Sequence, residues 1–325
     1  MRVLLVCVHF HSSFGWSIGR ALERAGHKVH IFDYRRNPFS SFPGARAWYS
    51  RRVMPEALFR TAAQLRPDLM LLAKAELVPG DAVSRIRKRT GCRAVNWFPD
   101  SRLFSYRNLM SQLPHLDAFF GKNKDDLQRL RLLGQNNGHF LLHCADRELH
   151  TEIVTTEDEL SWYRCEVALV GSYYPYRDFF LSKLQNFDFH IWGPGWERSR
   201  MAERKGVVMG CDARSFEQAK VFRAATVNIN LHHFDDTGCL NQRVFDINGS
   251  GGCQLMDGPR DMESTFEIPE ELDTFASIDE LNWKIRQILA TPERARQMAR
   301  RARAKTAACH TYDHRIAEIL GVLRI

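Results

Sequence analysis

The stretch "NQRVFDINGSGGCQLMD" (241–257) sets a guanidinium, Arg243, three residues before a carboxylate, Asp246. On a helix, residues three apart share a face. A guanidinium suits a diphosphate, which it grips through two parallel hydrogen bonds, and a carboxylate suits ribose hydroxyls. The run that follows, Gly249, Ser250, Gly251 and Gly252, reads as a glycine loop whose backbone amides are free to approach a phosphate. A plainer interpretation is an Arg–Asp surface pair beside a flexible turn.

Four other stretches carry groups of the same kind. In "GSYYPYRD", Gly171 permits close backbone approach and Arg177 could add a charge-assisted contact to an anion. Arg177 would otherwise be a surface cation in the first turn of a helix, where the dipole disfavours it. "HIWGPGW" presents Trp196 on a fixed turn, either to stack on a base or to pack over its own loop. In "HFHSSFG", His11 could act as general base on an acceptor hydroxyl, since imidazole titrates near neutral pH. The alternative is a hydrogen-bonded loop histidine with Ser12 or Ser13 capping the next helix. Asp100 of "NWFPDSR" could take a proton or orient an acceptor, or could cap the following segment. Residues 9–14 contain no glycine, and Gly15 and Gly19 come too late for a dinucleotide pyrophosphate loop.

These groups need strand ends to hold them. "VLLVCV", "KVHIFD", "DLMLLAK" and "RAVNWF" read as strands, "DAFFG" and "HFLLH" as weaker ones, with helices at "SIGRALERAG" and "PEALFRTAAQL". Continuous apolar strands alternating with helices predict parallel sheets covered on both faces. A polar, acidic stretch at 146–165 has no clear periodicity, and the alternation restarts after it. "EVALVG", "DFHIWG", "GVVMG" and "TVNINL" read as strands, with helices at "RDFFLSKLQNF" and "SFEQAKVFRAA". Two Rossmann-like α/β domains facing a cleft are the simplest architecture. Ligands of such sheets bind beyond the carboxyl ends of the strands, where all five stretches lie.

Composition narrows the function classes. The 325 residues are 44% hydrophobic and 26% charged, a globular balance. The apolar run Val3–Val8 is too short for a signal-peptide core or a membrane span, which predicts a cytoplasmic protein. Eight cysteines, Cys211 among them, are scattered without zinc-ligand spacing, and no metal site is expected. The net charge of +8 is concentrated in "SRIRKRTGCR" (84–93) and "PERARQMARRARAK" (292–305), which read as solvated helix faces. Such faces can also attract anionic lipid or steer an anionic substrate, so peripheral membrane association is a further expectation. No aromatic-interleaved pattern of a nucleic-acid binder is present, and no nucleic-acid partner is expected.

From "ALVGSYYPYRDFFLSKL" through "FHIWGPGW", "VNINLHH" and "NQRVFDINGSGGCQLMD" to "CHTYDHRIAEIL", most of residues 166–320 resembles the C-terminal domain of two-Rossmann (GT-B) glycosyltransferases. More narrowly, it resembles the spore-maturation CgeB-like group. In the first half only "NWFPDS" contributes. The resemblance implies transfer of a sugar from a nucleotide-diphosphate sugar, without a cofactor or metal, to an unidentified glycan, protein or small-molecule acceptor. It implies an acceptor domain at 1–155, a donor domain at 156–305 and a last helix, 306–325, packing back on the first domain. Donor contacts would come from Gly171, Arg177, Trp196, Arg243, Asp246, Gly249, Ser250 and Gly251, with His11 and Asp100 on the acceptor side. Asp246 stands where the family commonly has glutamate, and Gly238 where many related transferases carry a second glutamate. A non-catalytic protein binding nucleotide sugars or glycans on a degenerate scaffold is the alternative, and a basic protein of nucleic-acid or membrane surfaces a third class.

Overall fold

The computed structural model describes residues 1–36, 48–203, 206–210, 213–233, 238–258 and 265–325. Cys211, Asp235 and Asp236 lie outside the described residues. The chain divides into two compact units, Met1–Leu142 with Tyr312–Ile325, and His143–Thr311. The sequence-based lines stood at 155 and 305. Residues 143–155 go with the second unit because their backbone carbonyls are held there: Arg303 Nη2 donates to Thr151 O at 2.5 Å and Arg223 Nη1 to Ile153 O at 3.0 Å.

The first unit is built on a six-stranded parallel sheet. Its strands are β1 (Arg2–Cys7), β2 (Lys28–Asp33), β3 (Leu69–Ala73), β4 (Arg93–Phe98), β5 (Ala118–Gly121) and β6 (Gly138–Phe140), in the order β2-β1-β3-β4-β5-β6. All five residues of β3 are buried, as are the last five of β1 and of β4, which is why these strands read as unbroken apolar runs. Helices α1 (Phe14–Arg24), α2 (Met54–Leu65), α3 (Gly80–Thr90), α4 (Arg107–Gln112) and α5 (Lys124–Leu132) make the connections.

Helix α1 starts at Ser13, whose Oγ accepts from Trp16 N at 3.2 Å and donates to Val8 O at 3.2 Å. Gly15 then lies so close to the end of β1 that a Cβ would sit 2.5 Å from Cys7 Cβ and Sγ. Beyond β3 the chain turns through two consecutive left-handed residues, Lys74 (φ 63°) and Ala75 (φ 50°). It delivers Glu76 into a buried set in which Tyr34 Oη donates to Glu76 Oε2 at 2.6 Å and Arg35 pairs with Oε1. Burial pushes the Glu76 carboxyl up, but the Tyr34 and Arg35 hydrogen bonds outweigh it and hold the carboxyl below its ordinary value.

The second unit carries β7 (Val167–Val170), β8 (Phe189–Trp192), β9 (Val227–Asn230), β10 (Gln254–Asp257) and β11 (Asp273–Phe275), all parallel, in the order β11-β10-β9-β7-β8. Its helices are α6 (Glu157–Ser161), α7 (Pro175–Leu181), α8 (Phe216–Ala224), α9 (Gln242–Ser250), α10 (Ile278–Ala290) and α11 (Pro292–Cys309). The predicted strand "GVVMG" reduces to one bridge, Ile191 with Val208. The unperiodic stretch 146–165 resolves into a π-turn at Arg147–Thr151 and α6, which begins at a Thr156–Glu159 capping box.

The last helix, α12 (Tyr312–Leu323), belongs to the first unit. Tyr312 packs 5.8 Å from the Trp97 ring, Arg24 forks onto Asp313 at 2.8 and 3.1 Å, and Arg315 Nε donates to Leu142 O at 3.0 Å.

Gly15→Ala should lower the stability of the first unit by about 1–3 kcal/mol, because backbone and Cys7 must give way to the new methyl; chemical denaturation measures this. Glu76 ionises more readily folded than unfolded, so its contribution is full above its ordinary pKa of 4.5 and fades as pH falls below it. The thermal midpoint of Glu76→Gln should therefore fall less steeply than that of the unmutated protein in acid titrations below this value.

Candidate functional site

In the second unit the ends of four strands gather the polar groups. The loops after β7 and β8 are locked together: Gly171 N donates to Trp192 O at 2.9 Å, and a Cβ on Gly193 would lie 2.2 Å from Gly171 O. Gly193 also has φ 144°, so no other residue fits there without strain. Arg177, on α7, ties the loop after β7 to the loop after β9 by donating from Nη1 to Ser172 O (3.1 Å) and from Nη2 to Leu231 O (2.6 Å). Its guanidinium lies over the Tyr174 ring at 5.0 Å, while its Nε is buried with no acceptor. Arg177 is thus chiefly a clasp between loops, which is how a cation is tolerated in a first helical turn.

Helix α9 carries the Arg243–Asp246 pair singled out in the sequence. Asn241 caps it, its Oδ1 accepting from Val244 N at 3.2 Å. The same amide exchanges hydrogen bonds with Asn230 at the end of β9, at 3.1 and 3.0 Å. Asn230 also donates to Gln254 Oε1 (3.0 Å), and Gln254 Nε2 donates to Asn248 Oδ1 (2.9 Å). A row of amides, buried except at half-buried Asn241, therefore fixes α9 against β9 and β10.

On this helix Arg243 and Asp246 do share a face, with Arg243 Nη1 donating to Asp246 Oδ2 at 3.2 Å. They are no isolated surface pair. Asp246 is only 5% exposed, and its carboxylate also accepts from Gln242 Nε2 at 2.8 Å and Gln218 Nε2 at 3.1 Å. His150 Nε2 lies 3.7 Å away. Arg243, stacked over Phe222 at 5.3 Å, is the partly exposed member of the group.

Beside the N-terminus of α9 stands a group that sequence reasoning passed over. His232 N and Nδ1 both engage Asp257 Oδ1, at 2.8 and 2.7 Å, and His232 Nε2 accepts from Asn241 N at 3.3 Å. An acceptor role for Nε2 puts the ring proton on Nδ1, facing the aspartate. The signal was the aspartate ending "CQLMD" and the first histidine of "VNINLHH", which parallel pairing of β9 with β10 sets side by side.

Two donor-side expectations are corrected. The run "NGSGG" is not a phosphate-cradling loop. Gly249 and Ser250 are the last buried residues of α9, and Gly251 (φ 81°) is its left-handed cap. The amides of Gly251 and Gly252 are spent on Asn248 O and Ile247 O, both at 3.0 Å, and so cannot cradle a phosphate. Gly249 is required by packing, since a Cβ would meet Ala145 Cβ at 2.7 Å. Trp196 is likewise not displayed for stacking. Its indole is 0% exposed, donates from Nε1 to Gly171 O at 2.7 Å, and packs edge-on against Tyr173.

In the first unit Asp100, beyond β4, pairs with Lys74 beyond β3, leaving the carboxylate about half exposed. Burial lowers the Lys74 pKa, but Asp100 and Glu76 more than offset it and hold the ammonium above its ordinary value. His11 is exposed in the loop after β1, its ring 4.9 Å from that of Trp16. Ser13, rather than Ser12, is the cap of α1.

Residues 177–321 match the family model described as glycosyl transferase-like. None of the curated proteins matches the chain. Among solved structures, the sucrose-phosphate synthase of Thermosynechococcus elongatus is similar with a TM-score of 0.73 at 14% identity, over 99% of this chain and 98% of that one. Anabaena HepE in complex with UDP-glucose gives 0.67 at 12% identity, over 99% of both chains. The lipopolysaccharide outer core galactosyltransferase WaaB gives 0.62 at 13%, over 98% of both. The chain thus carries a glycosyl transferase-like domain at 177–321 and has, along its whole length, the two-sheet GT-B fold of glycosyltransferases.

Proposed function

We propose that this protein transfers a glycosyl group from a nucleotide-diphosphate sugar to an acceptor, with the donor bound by the second unit, and that it belongs with the CgeB-like group. The observation that carries the reading is the Arg243–Asp246 pair at the start of α9, inside the segment that matches the glycosyl transferase-like model. The helix presents its positive end and a partly exposed guanidinium to a leaving diphosphate, a charge stabilisation that needs no metal ion. Asp246 serves the ribose once Gln242 or Gln218 turns aside, and the glutamines keep the carboxylate satisfied until then. His11 and the Lys74–Asp100 pair are the acceptor-side candidates. If transfer inverts configuration, one of them takes the acceptor proton.

One observation favours the non-catalytic alternative. Gly238, where many related transferases have glutamate, has φ 80°. Among the described residues nothing lies within 4 Å of its Cβ position, so the backbone rather than crowding disfavours a side chain there.

A thermal-shift screen of UDP, GDP, dTDP, CMP and ADP identifies the nucleotide, because a ligand that binds only the folded state raises the midpoint. With the best diphosphate, Arg243→Ala should weaken binding about tenfold or more while leaving the parent nucleoside nearly unaffected. Equal losses for both would remove the diphosphate role. Asp246→Asn should cost about 1–2 kcal/mol of stability, since an amide now faces two amide donors. The folded variant should also lose preference for the ribonucleotide over its 2′-deoxy form. Release of the nucleoside diphosphate from its sugar conjugate, with acceptors supplied, separates transferase from binding protein.

A further inference from the structure

The basic stretch at 292–305 plays no part in the proposed donor site, and the second unit puts it to a separate use. Where β9 and β10 begin, at the opposite edge of the sheet from Asp257 and His232, lies an open pocket of about 380 Å³. Arg223 from α8 and Arg296, Arg300 and Arg303 from α11 line it, with Thr226 at its wall and no carboxylate among its lining residues. The spacing explains the convergence: on a helix, residues 296, 300 and 303 fall on one face.

Two of these arginines are anchored. Arg223 donates from Nε to Ser250 O (3.1 Å) and from Nη1 to Ile153 O and Thr155 Oγ1 (both 3.0 Å), and its Nη2 is buried without an acceptor among the described residues. Arg303 donates to Thr151 O. Burial, and after it the neighbouring Arg303 charge, lower the Arg223 pKa, as expected of two cations held close together. Arg296 and Arg300 share Glu293, a solvent-exposed carboxylate that contributes little and is easily exchanged.

We propose that this pocket is a second anion site, which binds a phosphate group, from a soluble phosphorylated compound or an anionic lipid headgroup, between Arg223, Arg303 and the Arg296–Arg300 pair. Planar guanidiniums grip phosphate oxygens in pairs, and an ion seated there relieves the repulsion between Arg223 and Arg303. Because the site lies at the strands' starting edge, it is independent of donor binding.

The test uses the full chain, with inorganic pyrophosphate followed by calorimetry and phosphatidylcholine vesicles, with or without phosphatidic acid, followed by flotation. Three proteins are compared: the unmutated chain, Arg300→Gln/Arg303→Gln, and Arg243→Ala. Pyrophosphate should bind to Arg243→Ala, while the double variant should lose this class of site, with affinity falling about tenfold or more. Arginine-dependent flotation with phosphatidic acid would identify a lipid source, and pyrophosphate binding without flotation a soluble one. Either result supports the site. Neither binding nor flotation, or binding that survives the double variant and disappears in Arg243→Ala, overturns it. Failure of the donor reading would look different: Arg243→Ala would then match the unmutated chain toward nucleoside diphosphates.

Discussion

The second unit depends on a largely buried row of amides. Asn230, Asn241, Gln254 and Asn248 link the end of β9 and the start of β10 to both ends of α9. A buried amide left unpaired costs more than a made hydrogen bond returns, so such a row enforces one register of helix on sheet. A slip of α9 by one residue would break the row and strand its members in the core. The close approach at Gly249, which admits no Cβ, fixes the same placement from the other side of the helix. Together they set where Arg243 and Asp246 stand.

Much of the fold was legible because its strands are buried on both faces. Runs such as "VLLVC", "LMLLA" and "VNIN" show parallel strands directly, without periodicity to interpret. What escaped was short or depended on pairing. The three-residue strand β11 and the shortening of α7 at Leu181 carry too little sequence to be seen. His232 and Asp257 lie 25 residues apart and meet only because β9 and β10 pair in parallel.

The glycine run shows why a local motif misleads. Glycine serves equally where a ligand approaches backbone, where a helix ends in a left-handed residue, and where two elements touch. In "NGSGG" the second and third uses apply: Gly251 caps α9 and Gly249 touches Ala145. The Arg243–Asp246 pair was legible because helical spacing alone brings it together. Gln242, four residues before Asp246, shares that spacing, whereas Gln218 was not legible, since it comes from a different helix. Trp196 was misread for a similar reason. Its sequence sets it on an exposed turn, but the carbonyl of Gly171 supplies a buried partner for the indole N–H.

The charges on α9 follow from its direction. Nine residues make a helix about 13 Å long, running from the strands' finishing edge to their starting edge. Its positive end carries no acidic residue in the first turn, which leaves the dipole available to an anion. Its negative end must be neutralised by something else, and Arg223 does so by donating to Ser250 O. That arginine brings a second cation, Arg303, against it through the shared anchoring of residues 151–155. The basic edge of the second unit is therefore a consequence of how α9 ends, as the candidate donor edge is of how it begins. One helix, held by four amides, gives the unit two faces attractive to anions, for unrelated electrostatic reasons.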